Sequence, residues 1–454
     1  MPSQSTPTTS TDNTDSRGQS HAPDDPCAQL RVAGCGPCGQ GAHIADLPCR
    51  SHRSAACQAL ARSPVFLITL VLVTALGPLA MSSFVPAIPA IQETFAVSGS
   101  VAQLTLSVSM VAMAIASLAY GSLADRFGRR RVLLFGIALG TVGSLICAAG
   151  PAIEWVIAGR ALQAAGASSG FVLARVVVRD VYGDKRAAGV LAYVTAAMTL
   201  APMIGPVMGG YLVDTTGWRA IFVTIAIVAA LLFVIVAYRL PETRPATNAD
   251  ATIPVGQGYA SVLRNATYLK FLAYGTLSQA AFFGFVAGAP YLMSEILGYP
   301  ATVYGFYFIL VPAGYFVGSL IAGKWSHLLS NETLTLIGAI AGLVACALGW
   351  LWVAGAPLHP LALFLPAAGL SVASGIALPG AQAGMLAAAG DHAGAGSGLF
   401  SFVQLLASAF AAQLVGTLQA GGPVAVFAVM VGASALGLIG YLAAAWRLPA
   451  PDAQ

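Results

Sequence analysis

The sequence predicts an all-α membrane protein, with twelve transmembrane helices in two pseudo-symmetric six-helix bundles. Three observations carry that prediction. Of 454 residues, 57% are hydrophobic and only 8% charged, against about a quarter charged in an ordinary soluble domain. Apolar windows of about 20 residues, long enough to cross a bilayer as helices, recur along the chain. Between two of them lies a short charged loop, Gly121-Ser-Leu-Ala-Asp125-Arg126-Phe-Gly128-Arg129-Arg130-Arg131. Charges packed so tightly cannot lie in hydrocarbon, so the loop joins two spans at one membrane face.

The windows fall near 64–86, 101–123, 132–150, 154–178, 187–212 and 218–238, then near 269–293, 301–323, 332–355, 359–384, 394–418 and 423–446. They divide the chain into an N-terminal tail (1–62), a first bundle (63–240), a polar linker (241–268), a second bundle (269–447) and a short C-terminal tail (448–454). Loops after the even-numbered spans hold Arg126, Arg129, Arg130 and Arg131, then Arg179, Lys185 and Arg186, then Arg239, Arg244, Arg264 and Lys270, and finally Lys324. The opposite loops hold Arg219 as their one basic residue, beside Glu93, Glu154, Asp214 and Glu295. The positive-inside rule places both termini in the cytoplasm. The net charge of +4 resides mostly in those loops, and no basic face elsewhere offers a nucleic-acid site.

The first sixty residues are rich in Ser, Thr, Asp, Pro and Gly and predict disorder. They lack the basic start and apolar core of a secretory signal. Cys27, Cys35, Cys38, Cys49 and Cys57 occur there with His43 and His52. Cys35-Gly-Pro-Cys38 has the form of a redox pair, but no strand–helix scaffold surrounds it, and no second pair at regular spacing supports a zinc site. Cys147 and Cys346 fall within spans, as apolar packing. Neither a metal site nor a cofactor is expected.

Two enzyme-like patterns fail on inspection. Gly318-Ser-Leu-Ile-Ala-Gly323-Lys324-Trp325 begins like a phosphate loop but ends in Trp where a magnesium-binding hydroxyl is needed, and it follows a span rather than a strand. Gly166-Ala-Ser168-Ser-Gly170 matches a nucleophile elbow, yet no span core holds a histidine to act as its base. Small residues that let helices pack explain both, so the chain is not expected to be an enzyme.

The charged loop is more specific. Gly121 removes a side chain where the second span could touch a neighbour, and Asp125 can face the positive end of another helix. The series Gly121-x-Leu123-Ala-Asp125-Arg126-x-Gly128-Arg129-Arg130 resembles the loop signature of the major facilitator superfamily, which joins spans two and three, as here. In the fourth span, Arg160-Ala-Leu-Gln163-Ala-Ala-Gly166 is similar to that family's proton-antiporter motif. Arg160 lies ~8 Å into its span, where a charge costs on the order of 2.5–3.5 kcal/mol, so it should face a cavity or a partner, with Gln163 on the same face. In the fifth span, Ala201-Pro202-Met-Ile-Gly205-Pro206-Val-Met-Gly209-Gly210 resembles the signature of the family's exporters. Ala201, Gly205 and Gly209 form a smooth stripe that permits close helix contact, while Pro202 and Pro206 each remove a backbone hydrogen bond.

Narrower stretches, among them Pro86-Ala-Ile-Pro89, Leu240-Pro241-Glu242-Thr243 and Asp391-His392-Ala-Gly394, resemble Bcr/CflA-type multidrug exporters. That resemblance implies a monomeric protein of the bacterial cytoplasmic membrane, exporting amphipathic or drug-like molecules, phenicols among them, in exchange for protons. It implies rocker-switch alternating access, in which we expect Asp125, Arg129 and Asp180 to latch the cytoplasmic side when the cavity opens outward. One departure stands out. Where those exporters commonly show an acid and an aromatic ahead of Pro-x-x-Pro, this chain has Ser82-Ser83-Phe84, and no Asp or Glu falls within a span interior. Asp125, Asp180 and Glu154 remain for proton coupling, and neutral or anionic cargo is favoured over cationic. Gln279 and Gln404 are cavity candidates, because amides facing lipid are costly. The aromatics of spans seven and eight, Phe282, Phe283, Phe285, Tyr304, Phe306 and Tyr307, should mostly face lipid or neighbouring helices. Uptake of a sugar or organic acid is the alternative, which the fifth-span signature opposes.

Overall fold

The structure is a computed structural model that describes residues 64–243 and 255–446, with the backbone alone at some helix positions, including 183–189. The two tails, the cysteine- and histidine-bearing segment and 244–254 of the linker lie outside the described residues. Among the described residues the chain is helical and without strands. The first half contains α1 (Pro64–Phe84), α2 (Ile88–Phe95), α3 (Gly99–Phe127), α4 (Arg129–Ala149), α5 (Ile153–Thr216) and α6 (Arg219–Arg239). A short helix, α7 (Val255–Arg264), precedes the second half, which contains α8 (Ala266–Tyr291), α9 (Ala301–Phe308), α10 (Leu310–Trp325), α11 (Asn331–Gly355), α12 (Pro360–Ala389), α13 (Ala393–Thr417) and α14 (Gly422–Trp446).

Eleven helices among the described residues are long and apolar enough to cross a membrane. The fifth expected span is helical too, and forms the second limb of α5. Laid straight, 64 helical residues would reach roughly 96 Å. Yet Arg219, just past the end of α5, donates to the Gly150 carbonyl just before its start, at 3.3 Å. The chain therefore turns back inside α5, after Asp180.

Local chemistry sets the helix ends. Gly128 separates α3 from α4 at φ 97°, a left-handed conformation that glycine adopts without strain. The carboxylate of Glu242 accepts the first two N–H groups of α4, from Arg129 at 2.7 Å and Arg130 at 3.3 Å. This carboxylate satisfies two of the four orphan donors of a helix start and complements its positive end. In the second half, Asn265 caps α8 by accepting the Tyr268 N–H and ties it to α12 by donating to the Ala388 carbonyl. The stretch expected as a plain linker thus contains a helix, α7, whose Val262 is buried against the second half.

The halves are sealed together at the end opposite the Asp125–Arg131 loop. There Asp214, on α5, accepts the Ala301 and Thr302 N–H groups and the Thr302 hydroxyl at the start of α9. Gln413 donates to the Ser100 carbonyl, and Gln419 to the Gln92 side chain. At the loop end, the ion pairs of Arg129 run within the first half.

Candidate functional site

A cavity of about 320 Å³ lies between the halves. The four polar residues expected at a cavity, Arg160, Gln163, Gln279 and Gln404, all line it, as does Pro202. Polar side chains in an apolar span need partners, and three of these four have them in the protein. Arg160 is 2% exposed and donates Nη1 to Gln163 Oε1 at 2.5 Å. Gln163 in turn donates to the Ser144 hydroxyl at 2.7 Å, which itself donates to the Gly140 carbonyl. The Arg160 guanidinium lies 4.1 Å from the centroid of Phe84, a cation–π contact. Gln404 donates to the Gly275 carbonyl at 3.3 Å.

The rest of the wall is soft and apolar. Met81, Met113 and Met198 come from the first half, with Phe171; Phe282, Phe283 and Phe308 come from the second. The methionines carried no signal in the sequence, because a methionine in a span looks like any other apolar residue. Four of the six aromatics singled out in the sequence lie off the cavity wall, and two line it. Phe282 and Phe283, on α8, line the cavity. Phe285 and Tyr304 are buried and Phe306 is exposed, while Tyr307 stacks on Phe364 at 5.6 Å.

The glycine stripe of the fifth span sits at close approaches. A Cβ on Gly205 would collide with the Ser82 side chain, and one on Gly209 with the Ser83 carbonyl. Ala201 belongs to the same contact, accepting from the Ser82 hydroxyl at 3.4 Å. Gly210 and Pro206 face the other way. Gly210 abuts Ala301, and the Pro206 carbonyl lies against Gly305. One short segment therefore seats α1 on one side and α9 on the other.

In the charged loop, Arg129 pairs with Asp125 at 2.5 Å and with Asp180 at 3.4 Å. Its side chain is nearly buried, that of Asp180 is 13% exposed and that of Asp125 is 70% exposed. Arg130 donates to the Ala237 carbonyl on α6, and the Arg126 guanidinium lies 5.2 Å from the Phe127 ring centroid. The reading of Gly121 as a close-contact position is corrected, since a Cβ there would meet nothing within 4 Å. Sequence reasoning also missed Glu242 as the group that caps α4. Its only signal was the Leu-Pro-Glu-Thr resemblance.

Two helical bundles around a central cavity, joined at one end, have the architecture of a membrane transporter. Residues 70–412 match the Major Facilitator Superfamily, and the chain belongs to that family. It is 29% identical over 349 residues to the uncharacterized MFS-type transporter YdgK of Bacillus subtilis (strain 168), covering 75% of this chain and 86% of that one. It is also 29% identical over 316 residues to the multidrug resistance protein MdtL of Escherichia coli O81 (strain ED1a), covering 69% and 79%. Among solved structures, the fold is similar to a bacterial homologue of the human lysosomal transporter Spinster in an inward-facing, unoccupied conformation. That match has a TM-score of 0.66 at 14% identity and covers 87% of this chain and 96% of that one. A D-xylose–proton symporter matches with a TM-score of 0.64 at 16% identity, covering 85% and 98%. The last two likenesses concern the fold alone.

Proposed function

We propose that this chain exports drug-like small molecules across the bacterial cytoplasmic membrane by rocker-switch alternating access, as a Bcr/CflA-type transporter. The observation that carries the reading is the cavity wall. Methionine and phenylalanine with a few amides suit an amphipathic guest of variable shape, because methionine repacks readily. A sugar presents many hydroxyls, and each one buried without a partner costs free energy, so this wall is poor in what uptake of a sugar requires. The named multidrug relative supports the same direction.

In this reading the arginine-rich loop faces the cytoplasm and the sealed end faces outward. Asp125, Arg129 and Asp180 form the latch when the cavity opens to the other side. Export proceeds in exchange for protons, with Asp180 the carboxylate best placed to alternate in access, because it is shielded and already paired. Expression in a drug-sensitive bacterium tests the proposal directly. A compound panel, run with and without a protonophore, should reveal compounds excluded from the cell only when the protein is present. Exclusion of none would sink the export reading, while exclusion indifferent to the protonophore would remove only the gradient coupling.

A further inference from the structure

We infer that the cavity is an anion site, and that its cargo is an amphipathic organic anion such as an aromatic carboxylate. The inference rests on the export reading and specifies its substrate class. Arg160 lines the cavity while almost wholly buried, and its two partners, the Gln163 amide and the Phe84 ring, are both neutral. Among the described residues no carboxylate pairs with it, and no Asp or Glu lines the cavity. Its Nε donor is buried without an acceptor.

A cation removed from water is strongly disfavoured until a counter-charge meets it. An amide and a ring face lessen that cost but leave the charge in place. A carboxylate neutralises it, and the planar guanidinium fork suits two-point binding of such a group. The apolar body of the same guest would rest on Phe171, Phe282 and Phe283, which share the cavity with Arg160.

A second cation stands on the approach. Arg160, Ala164, Ala167 and Phe171 follow one face of α5, and Arg175 comes one turn after Phe171 toward the loop end. Its guanidinium lies 4.4 Å from the Phe171 ring centroid. An anion entering from that end meets one positive charge and passes to a second, whereas both repel a cation.

The test uses the detergent-purified full-length protein and three radiolabelled probes of matched shape: naphthoate, naphthamide and naphthylmethylammonium. Scintillation-proximity binding should show naphthoate held at least about tenfold more tightly than either of the others, a difference well above measurement scatter. Arg160→Gln should abolish that preference, while Arg160→Lys keeps part of it. Should Arg160→Gln fail to fold, Ser82→Asp places a carboxylate in the same cavity and should move the preference from naphthoate to naphthylmethylammonium. Wild-type protein that binds naphthoate no better than naphthamide overturns the inference, and so does Arg160→Gln or Ser82→Asp acting equally on all three probes. Everted vesicles separate this outcome from failure of the export reading. Accumulation of naphthamide or the ammonium without naphthoate sinks the anion site and leaves export standing, whereas no accumulation of any probe or panel compound sinks both.

Discussion

Glu242, three residues past the end of α6, accepts the backbone N–H of Arg129 at 2.7 Å. The segment leaving α6 therefore caps α4, and the same arginine's side chain reaches Asp125 and Asp180. One residue ties the start of α4 to α3, to α5 and to the exit of α6. Removing the cap with Glu242→Ala should cost about 0.5–2 kcal/mol, read as a lower Tm of the purified protein. Gly128→Ala should cost at least as much, because the added Cβ would be strained at positive φ and would also strike the Glu242 carboxylate. An unchanged Tm in both variants would show that the cap carries no stability.

The far seal depends on Asp214. A carboxylate taking two backbone N–H groups and a hydroxyl at the start of α9 makes charge-assisted bonds worth roughly 1.5–3 kcal/mol each in favourable settings; those here are exposed and worth less. Asp214→Ala should move the population toward the conformation open at that end by about tenfold. Spin labels placed across that end, read by double electron–electron resonance, should show the longer distance gaining weight. A distance distribution identical to wild type would count against the seal.

Asp125 offers a contrast between stability and turnover. Its side chain is 70% exposed, so loss of its pair with Arg129 should change stability by less than about 1 kcal/mol. If the loop is a latch, Asp125→Asn should nonetheless stop export while the protein stays in the membrane. Normal export by this variant would remove Asp125 from the latch.

Gly209 tests the helix contact behind the cavity. Gly209→Val would force a branched side chain against the Ser83 carbonyl, and overpacking of this kind costs roughly 1–3 kcal/mol. Export should fall along with thermal stability. Gly121→Val, by contrast, enters open space and should leave stability unchanged. Equal damage from both would contradict the packing described here.

An anionic cargo carries its own driving force. A monoanion leaving a cell moves down an inside-negative potential, gaining about 2.3 kcal/mol per 100 mV. At 1.4 kcal/mol per factor of ten, that alone sustains roughly a fifty-fold gradient. In proteoliposomes, a potassium diffusion potential set with valinomycin should drive naphthoate flux, and reversing its sign should reverse the flux. Flux indifferent to the potential would show either neutral cargo or charge-compensated exchange.

Much of this architecture was legible because hydrocarbon tolerates few exceptions. A polar side chain in an apolar span must be placed somewhere special, and so Arg160, Gln163, Gln279 and Gln404 stood out and lie together on the cavity wall. Gly205 and Gly209 were visible for a similar reason, since a stripe without side chains has one main structural use. Glu242 and Asp214 were invisible because each acts on a helix distant in sequence, and Ser144 because periodicity says nothing about which side chain lies opposite. Gly121 misled because a glycine permits close contact without requiring it.

The three methionines of the cavity have a consequence beyond guest shape. Thioethers are open to oxidation, and a sulfoxide turns a pliant apolar side chain into a polar, chiral one. Met81, Met113 and Met198 line one compartment, so peroxide stress would wet the wall on which an apolar guest must rest. Oxidation there would weaken the hold on an apolar guest, and repair by methionine sulfoxide reductase would set how fast the wall recovers.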